Sequence, residues 1–183
     1  ELSRAGLHVL SNEAVRLPCG THIVGLDSAI GQGTTLRPAP RLDAQRAFAA
    51  IPEDASVVLL AHEPDFFLDQ DRPVALQLSG HTHGVQIGAL GILATYPSRY
   101  WTRLDYGHKQ VGERHLVISA GLGVGGVPIR AGRASEITLV SLMPCIDGSD
   151  YHSESCAYRV DKRGGESERH SSEAMQLTKE PPR

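Results

Sequence analysis

The sequence predicts an α/β fold built around a parallel sheet. Two mainly apolar runs of strand length, residues 56–61 and 74–78, follow one another along the chain, and the first of them is continuous. Runs of this kind are typical of central strands that are covered on both faces. Each run leads into a histidine turn, first at His62 and then at His81 and His83. Because open α/β sheets place ligands at the carboxyl ends of their strands, the two turns mark one candidate site.

The other elements follow from hydrophobic spacing and turn residues. Short apolar runs separated by Pro and Gly predict a β meander in the first 26 residues. A helix is predicted from Asp43, a candidate N-cap, because apolar residues recur at helical spacing up to Ile51, and Pro52 ends it. Two further apolar runs predict strands, and two stretches rich in turn residues or aromatics predict irregular connections. The strands are residues 115–119 and 136–142, and the connections are residues 27–40 and 87–110.

The amino-acid totals describe one globular domain followed by a polar tail. The chain has 183 residues, of which 40% are hydrophobic and 21% are charged, as is usual for a single folded domain. Residues 1–144 carry all the predicted elements, whereas residues 145–183 are mostly Ser, Glu, Arg, Asp and Lys. That composition predicts a disordered tail. The formal net charge of -3 gives no electrostatic basis for nucleic-acid binding.

The histidine turns suit metal binding. Neutral imidazole is a common ligand for zinc, manganese and iron. Gly80 and Gly84 flank the second turn and allow a tight backbone bend. His62 comes from the neighbouring strand end and can converge on the same point as His81 and His83. The remaining histidines are interpreted as structural or exposed, and they are His8, His22, His108, His115, His152 and His170.

Two blocks of residues carry a family resemblance. Leu60-Ala61-His62-Glu63-Pro64-Asp65 and Ser79-Gly80-His81-Thr82-His83-Gly84 resemble the last two metal-binding blocks of the calcineurin-like metallophosphoesterases. Other segments resemble a bacterial subgroup of membrane-associated or cytoplasmic phosphohydrolases, namely residues 24–27, 120–123, 127–130 and 136–139. The resemblance covers about residues 5–143. It implies the C-terminal half of a four-layer αββα sandwich in a bacterial protein of the cytoplasm or the membrane surface.

The resemblance also implies a site and a reaction. His62 and His81 would bind one divalent metal ion and His83 a second, with Mn, Fe or Zn as the family's metals. A hydroxide held by the metals would attack the phosphorus of a small phosphate ester, either a monoester or a diester. No catalytic residue beyond the metal ligands is implied.

Part of the family pattern has no counterpart in the chain. The first three blocks of the family, Asp-x-His, Gly-Asp-x-x-Asp and Gly-Asn-His-Asp/Glu, are absent, and Asn12 is followed by Glu13 instead of His. Since the chain also starts at Glu1 and not at Met, we expect it to be a C-terminal piece of a longer protein whose N-terminal half completes the site. Val85 stands where the subgroup usually has Gly, and a β-branched residue resists positive φ.

Two other functions stay open from the sequence. One is a non-catalytic, truncated domain that retains a histidine metal site. The other is a mononuclear zinc hydrolase, because three imidazoles suit one zinc ion with open positions. A separate glycine pattern, Gly121-x-Gly123-x-x-Gly126, formally matches the fingerprint of dinucleotide-binding proteins. It is rejected because Pro128 and a strand follow where a helix should begin, so the glycines are expected to form a loop near the histidines.

Several charged residues are weaker candidates. The carboxylates of Asp27, Glu63 and Asp65 are candidates for acid–base chemistry, although Asp65 is better placed to cap the helix that follows it. The guanidinium of Arg130 is a candidate either for clamping phosphate or for a surface ion pair.

Overall fold

The computed structural model describes residues 2–29, 42–72, 74–86, 104–125, 128–131, 133–144, 156–164 and 173–175. A 3₁₀ helix, Ser3–Ala5, comes first. The described elements are α1 (Ala44–Phe48), α2 (Phe66–Asp69), β1 (Glu13–Arg16), β2 (His22–Gly25), β3 (Val57–Leu60), β4 (Leu76–Ser79), β5 (Gly107–Val111), β6 (Arg114–Ile118), β7 (Glu136–Pro144), β8 (Cys156–Gly164) and β9 (Glu173–Met175).

A six-stranded mixed sheet forms the centre of the fold. Its strand order is β1-β2-β3-β4-β6-β5. The four inner strands are parallel to one another, and the two outer strands pair antiparallel with their neighbours. The two apolar runs that lead to the histidine turns are β3 and β4, and they are adjacent and parallel. The predicted α/β class and the parallel central strands are therefore confirmed.

The two faces of the sheet carry different layers. On one face, Phe48 of α1 packs with Leu59 of β3, and Phe67 of α2 packs with Leu116 of β6. On the opposite face, Val140 of β7 packs against a separate cluster, whose buried members are Val58, Leu76 and Val117. Because successive residues of a strand point to opposite faces, β3 and β6 supply both cores, whereas β4 supplies Leu76 to the second one. The helix, sheet and second-sheet layers agree with the expected α/β sandwich.

Some elements differ from the sequence prediction. The strand β5 begins inside the connection that was predicted to be irregular over residues 87–110, and α1 ends at Phe48, three residues before Ile51. The strand Gly107–Val111 is polar along much of its length and lies at the sheet edge, so its sequence has no apolar run to reveal it. The irregular connections predicted over residues 30–40 and 87–103 lie outside the described residues.

The part of the chain predicted to be a disordered tail contains two described strands. In the structure β8 pairs antiparallel with β7, and β9 pairs antiparallel with β8. The segment that becomes β8 holds Tyr158 and Val160, which are residue types enriched in strands, within a polar composition. The division of the chain at residue 144 stays a prediction. No helix among the described residues is long and apolar enough to cross a membrane.

Two histidines of the outer hairpin contact each other. Nδ1 of His115 on β6 lies 3.0 Å from Nε2 of His108 on β5, and the rings stack with centroids 5.2 Å apart. His115 is buried. Burial, and after it the nearby His108, lowers the pKa of His115 below its ordinary value. Both histidines therefore have the structural role that the sequence suggested for them.

This histidine pair predicts a loss of stability in mild acid. Because the pKa of His115 is lower in the folded chain, the unfolded chain binds more protons as the pH falls through about 6.5. We expect the free energy of unfolding of the metal-free chain, measured with urea, to fall between pH 7 and pH 5. His115→Gln should make this decline shallower, whereas the control His8→Gln, at an exposed site, should not. An unchanged slope in His115→Gln would contradict the prediction.

Candidate metal centre

The ends of β3 and β4 place the two histidine turns side by side. The backbone N–H of Ala61 donates to the carbonyl of Leu78 over 3.2 Å, and the N–H of Gly80 donates to the carbonyl of His62 over 3.1 Å. These bonds continue the parallel ladder past the ends of the strands. His62 and His81 therefore emerge from adjacent backbone segments at the carboxyl edge of the sheet.

His62 and His81 are in direct contact. Their ring centroids are 5.2 Å apart and the rings meet edge to face at 75°. Burial lowers the pKa of His81 most, and the neighbouring His62 lowers it further, whereas the carboxylates of Glu63 and Asp65 act in the opposite direction. The net shift favours the neutral imidazole, which is the form that binds a metal ion.

His83 leaves the same turn in another direction. Its Nδ1 lies 3.3 Å from the carbonyl oxygen of Gly123. A proton on Nδ1 would be donated to that carbonyl, and Nε2 would then carry the lone pair. Metal-binding histidines are commonly oriented by a bond of this kind. The contact with Gly123 thus orients the ring of His83. This contact is separate from the one between His62 and His81.

The described residues include three side chains of a type that binds metal ions. Three imidazoles have the donor chemistry that divalent transition metals prefer. However, no group of three or more His, Cys, Asp or Glu side chains is placed to hold one ion in the part of the chain that the structure describes. The residues therefore fit an incomplete site, with two imidazoles together and the third oriented separately.

Comparisons with known proteins identify the family. The chain is 42% identical over 88 residues to an uncharacterized metallophosphoesterase of Bacillus subtilis, YkuE, a match that covers 46% of this chain and 30% of that protein. It is 30% identical over 142 residues to an uncharacterized metallophosphoesterase of Aquifex aeolicus, covering 77% of this chain and 52% of that protein. A transmembrane protein with metallophosphoesterase domain of Danio rerio is 34% identical over 109 residues, which are 57% of this chain and 24% of that protein.

The chain belongs to the metallophosphoesterase superfamily. Membership implies divalent metal cofactors, which agrees with the three imidazoles at the strand ends. The chain spans 30% and 52% of the length of the first two relatives. No protein-family model matches the chain, and no solved structure matches it.

The histidine turn of this metallophosphoesterase chain, residues 81–86, has an unusual backbone. His81, His83, Gly84 and Val85 all have positive φ, at 68°, 53°, 61° and 63°. The predicted use of Gly84 in a tight bend is confirmed, whereas Gly80 does not need positive φ. Val85 adopts the conformation that its branched side chain was expected to resist, which costs about 1–3 kcal/mol. The turn is therefore strained and must be held by its surroundings.

The glycine loop that follows β6, residues 120–125, lies against this turn. The side chain of Gln86 accepts a hydrogen bond from the N–H of Gly125 over 2.8 Å and donates to the carbonyl of Ile129 over 2.7 Å. Gly121 has φ 67°. As predicted, the glycines form a loop near the histidines, and β7 follows as the next described strand.

Glu63 acts as a structural carboxylate next to His62. It is buried and accepts hydrogen bonds from the hydroxyl of Ser28 and from the N–H of Ala29, the latter over 3.1 Å. Burial raises its pKa, but these hydrogen bonds and the adjacent His62 outweigh that effect and lower it overall. Glu63 therefore stays ionised and ties the chain after β2 to the first histidine turn, which makes it a poor general acid.

The other two acidic candidates also differ in their contacts. Asp27 accepts hydrogen bonds from the hydroxyl of Ser11 and the amide of Asn12, each over 2.7 Å, and so joins two backbone segments. Asp65 stands before α2, but it makes no side-chain cap hydrogen bond, so the predicted capping role is wrong. Asp43 does cap α1, as predicted, by accepting from the N–H three residues later.

Residues of β7 and of the segment before it support the histidine turn, and sequence reasoning missed them. Arg133 donates from Nε to the carbonyl of Gly84 over 3.2 Å and stacks on Tyr106, with 3.6 Å between its Cζ and the ring centroid. The hydroxyl of Tyr106 donates to Glu136, whose other carboxylate oxygen accepts from the N–H of Ala120 over 3.0 Å. These contacts join residues distant in sequence, and no local motif marks them.

Proposed function

We propose that the chain is the C-terminal part of a metal-dependent phosphoesterase that hydrolyses small phosphomonoesters or phosphodiesters. The observation that carries the proposal is the contact of His62 with His81, whose rings lie 5.2 Å apart at the ends of two adjacent parallel strands. The two sequence blocks that resemble the family's metal-binding blocks supply these histidines. Family membership and strand-end geometry therefore support the same site.

The three histidines are proposed to bind two metal ions. His62 and His81 bind one divalent ion, and His83 binds the other. Metal ions bound there would neutralise charge on the phosphoryl oxygens and supply the activated water. Burial lowers the pKa of His81, which favours its neutral form, and the carbonyl of Gly123 faces Nδ1 of His83. The ligands still needed for two ions are proposed to come from an N-terminal half of the site.

Metal titration tests the proposed ligands. His81→Ala removes one imidazole and should lower the affinity of the chain for Zn²⁺ at least about tenfold, since second-shell losses alone cost that much. Competition with a chromophoric chelator measures the affinity. The control His8→Ala changes an exposed histidine outside the turns and should leave it unchanged. Equal zinc affinity in His81→Ala and the parent chain would refute the assignment.

A second function, a non-catalytic domain that retains a histidine metal site, is favoured by one observation. No set of three metal-binding side chains is gathered in the residues described here, and two imidazoles with one separate ring make a weak dinuclear site. Hydrolysis of an aryl phosphodiester with added Mn²⁺ separates the two functions. Turnover that disappears in His83→Ala supports the esterase, whereas metal binding without turnover supports the non-catalytic domain.

A further inference from the structure

The side chain of Arg130 joins the histidine turn to the glycine loop. Its Nη1 donates to the carbonyl of His83 over 3.3 Å. Its Nη2 donates to the carbonyl of Ala120 over 3.1 Å and also to that of Gly123. The Gly123 carbonyl is the one that faces Nδ1 of His83. The guanidinium thus bonds to the backbone of His83 and to the carbonyl that orients the His83 ring.

These contacts differ from the surface ion pair that the sequence suggested for Arg130, and its clamping of phosphate stays a prediction. Its terminal nitrogens contact backbone carbonyls, and none of its contacts in the described residues is with a carboxylate. Its Nε is buried without a hydrogen-bond partner among those residues. An unsatisfied buried donor costs free energy. The guanidinium therefore occupies a position that satisfies three backbone carbonyls, although this position leaves its own Nε without a partner among the described residues.

The conformation of the turn supplies a reason for this placement. His81, His83 and Val85 are not glycines, yet all three have positive φ. Residues in such conformations persist only where the surrounding structure holds them. Arg133 holds the end of the turn through the carbonyl of Gly84, Gln86 holds it through the glycine loop, and Arg130 binds the carbonyl of His83 itself.

We propose that Arg130 is a positioning residue, which holds the strained histidine turn in the conformation that presents His83 to a metal ion. The part that concerns the metal rests on the proposed function, whereas the part that concerns the turn does not. A planar guanidinium with five N–H donors can bond to two loops at once. A lysine ammonium keeps the charge but lacks the planar fork, so Arg130→Lys separates charge from geometry.

Amide hydrogen exchange of the metal-free chain tests the positioning role. The reporters are the N–H of Val85, which donates to the carbonyl of Thr82 over 3.3 Å, and the N–H of Gly125, which donates to Gln86 over 2.8 Å. Arg130→Lys should speed exchange at both at least about tenfold, the ratio associated with one hydrogen bond to a charged group. Exchange of the Gly80 amide, which donates to the carbonyl of His62 just after β3, should not change.

A matched arginine and a second variant complete the test. Arg114→Lys changes another half-buried arginine, one that donates to the carbonyl of Phe67 over 3.2 Å, and it should leave the Val85 and Gly125 amides unchanged. Val85→Gly favours positive φ without strain, so Arg130→Lys should accelerate exchange less in that background. Unchanged exchange in Arg130→Lys, or equal acceleration in Arg114→Lys, would overturn the positioning role.

Cobalt binding separates this inference from the proposed function. If the chain binds Co²⁺, Arg130→Lys should weaken the affinity about tenfold and alter the visible absorption band of the ion, since residues that orient ligands affect affinity by about that factor. Unchanged affinity and spectrum would overturn the role toward the metal. If the parent chain does not bind Co²⁺, the proposed metal site fails for this chain, and hydrogen exchange alone decides whether Arg130 holds the turn.

Discussion

Replacing Phe67 with alanine is expected to lower the free energy of unfolding by about 3–5 kcal/mol. Phe67 is fully buried and packs with Leu104, Leu116 and Ile118 between α2 and the sheet. Removing the ring takes away this apolar contact and leaves a cavity that the strand β6 cannot fill by moving. Arg114 also lies over the ring, with 5.1 Å between its Cζ and the ring centroid, and would lose that contact.

The neighbouring residue provides the matched control for Phe67. Phe66 is in the same short helix but is only half-buried, so Phe66→Ala should cost clearly less. Urea unfolding followed by circular dichroism measures both variants. Because α2 begins shortly after His62, we also expect the amides of residues 62–65 to exchange faster in Phe67→Ala. Equal losses of stability in the two variants would show that this cluster is not the core that the packing indicates.

The central strands could be predicted because their signal is local. Residues 56–61 and 74–78 are mainly apolar runs of strand length, which are typical of strands covered on both faces. Their parallel pairing then places His62 beside His81 without any further information. The strand β5 could not be predicted in this way, because its pairing with β6 is supplied by the fold and not by its own hydrophobicity.

The support of the histidine turn could not be predicted for a similar reason. Arg130, Arg133 and Glu136 are polar residues whose partners are backbone groups or side chains distant in sequence. The separation of each residue from its partner is set by the path of the chain and not by a helix or strand period. The same contacts explain why the preference of Val85 against positive φ is overridden, since local preferences yield where tertiary contacts fix the backbone.

Gly25, at the end of β2, lies close against Leu10. Gly25→Ala is expected to lower the free energy of unfolding by about 1–3 kcal/mol, as overpacked substitutions do. A Cβ added at Gly25 would lie 2.4 Å from Cβ of Leu10 and 2.7 Å from its carbonyl oxygen. These atoms belong to or adjoin the backbone, so no side-chain rotation relieves the contact and the segment must move.

Displacement of the segment around Leu10 should affect contacts that amide hydrogen exchange can report. Leu10 precedes Asn12, whose side-chain oxygen accepts hydrogen bonds from the N–H of Asp27 over 3.1 Å and of Asp43 over 3.0 Å. Displacing this segment should therefore loosen the start of α1 as well as β1, and the N–H groups of Asp27 and Asp43 should exchange faster. Gly123→Ala is the control, because a Cβ there meets no atom within 4 Å and should leave the urea midpoint unchanged. If Gly25→Ala unfolds at the same urea concentration as Gly123→Ala, the segment before β1 does not pack on β2 in solution as it does in the structure.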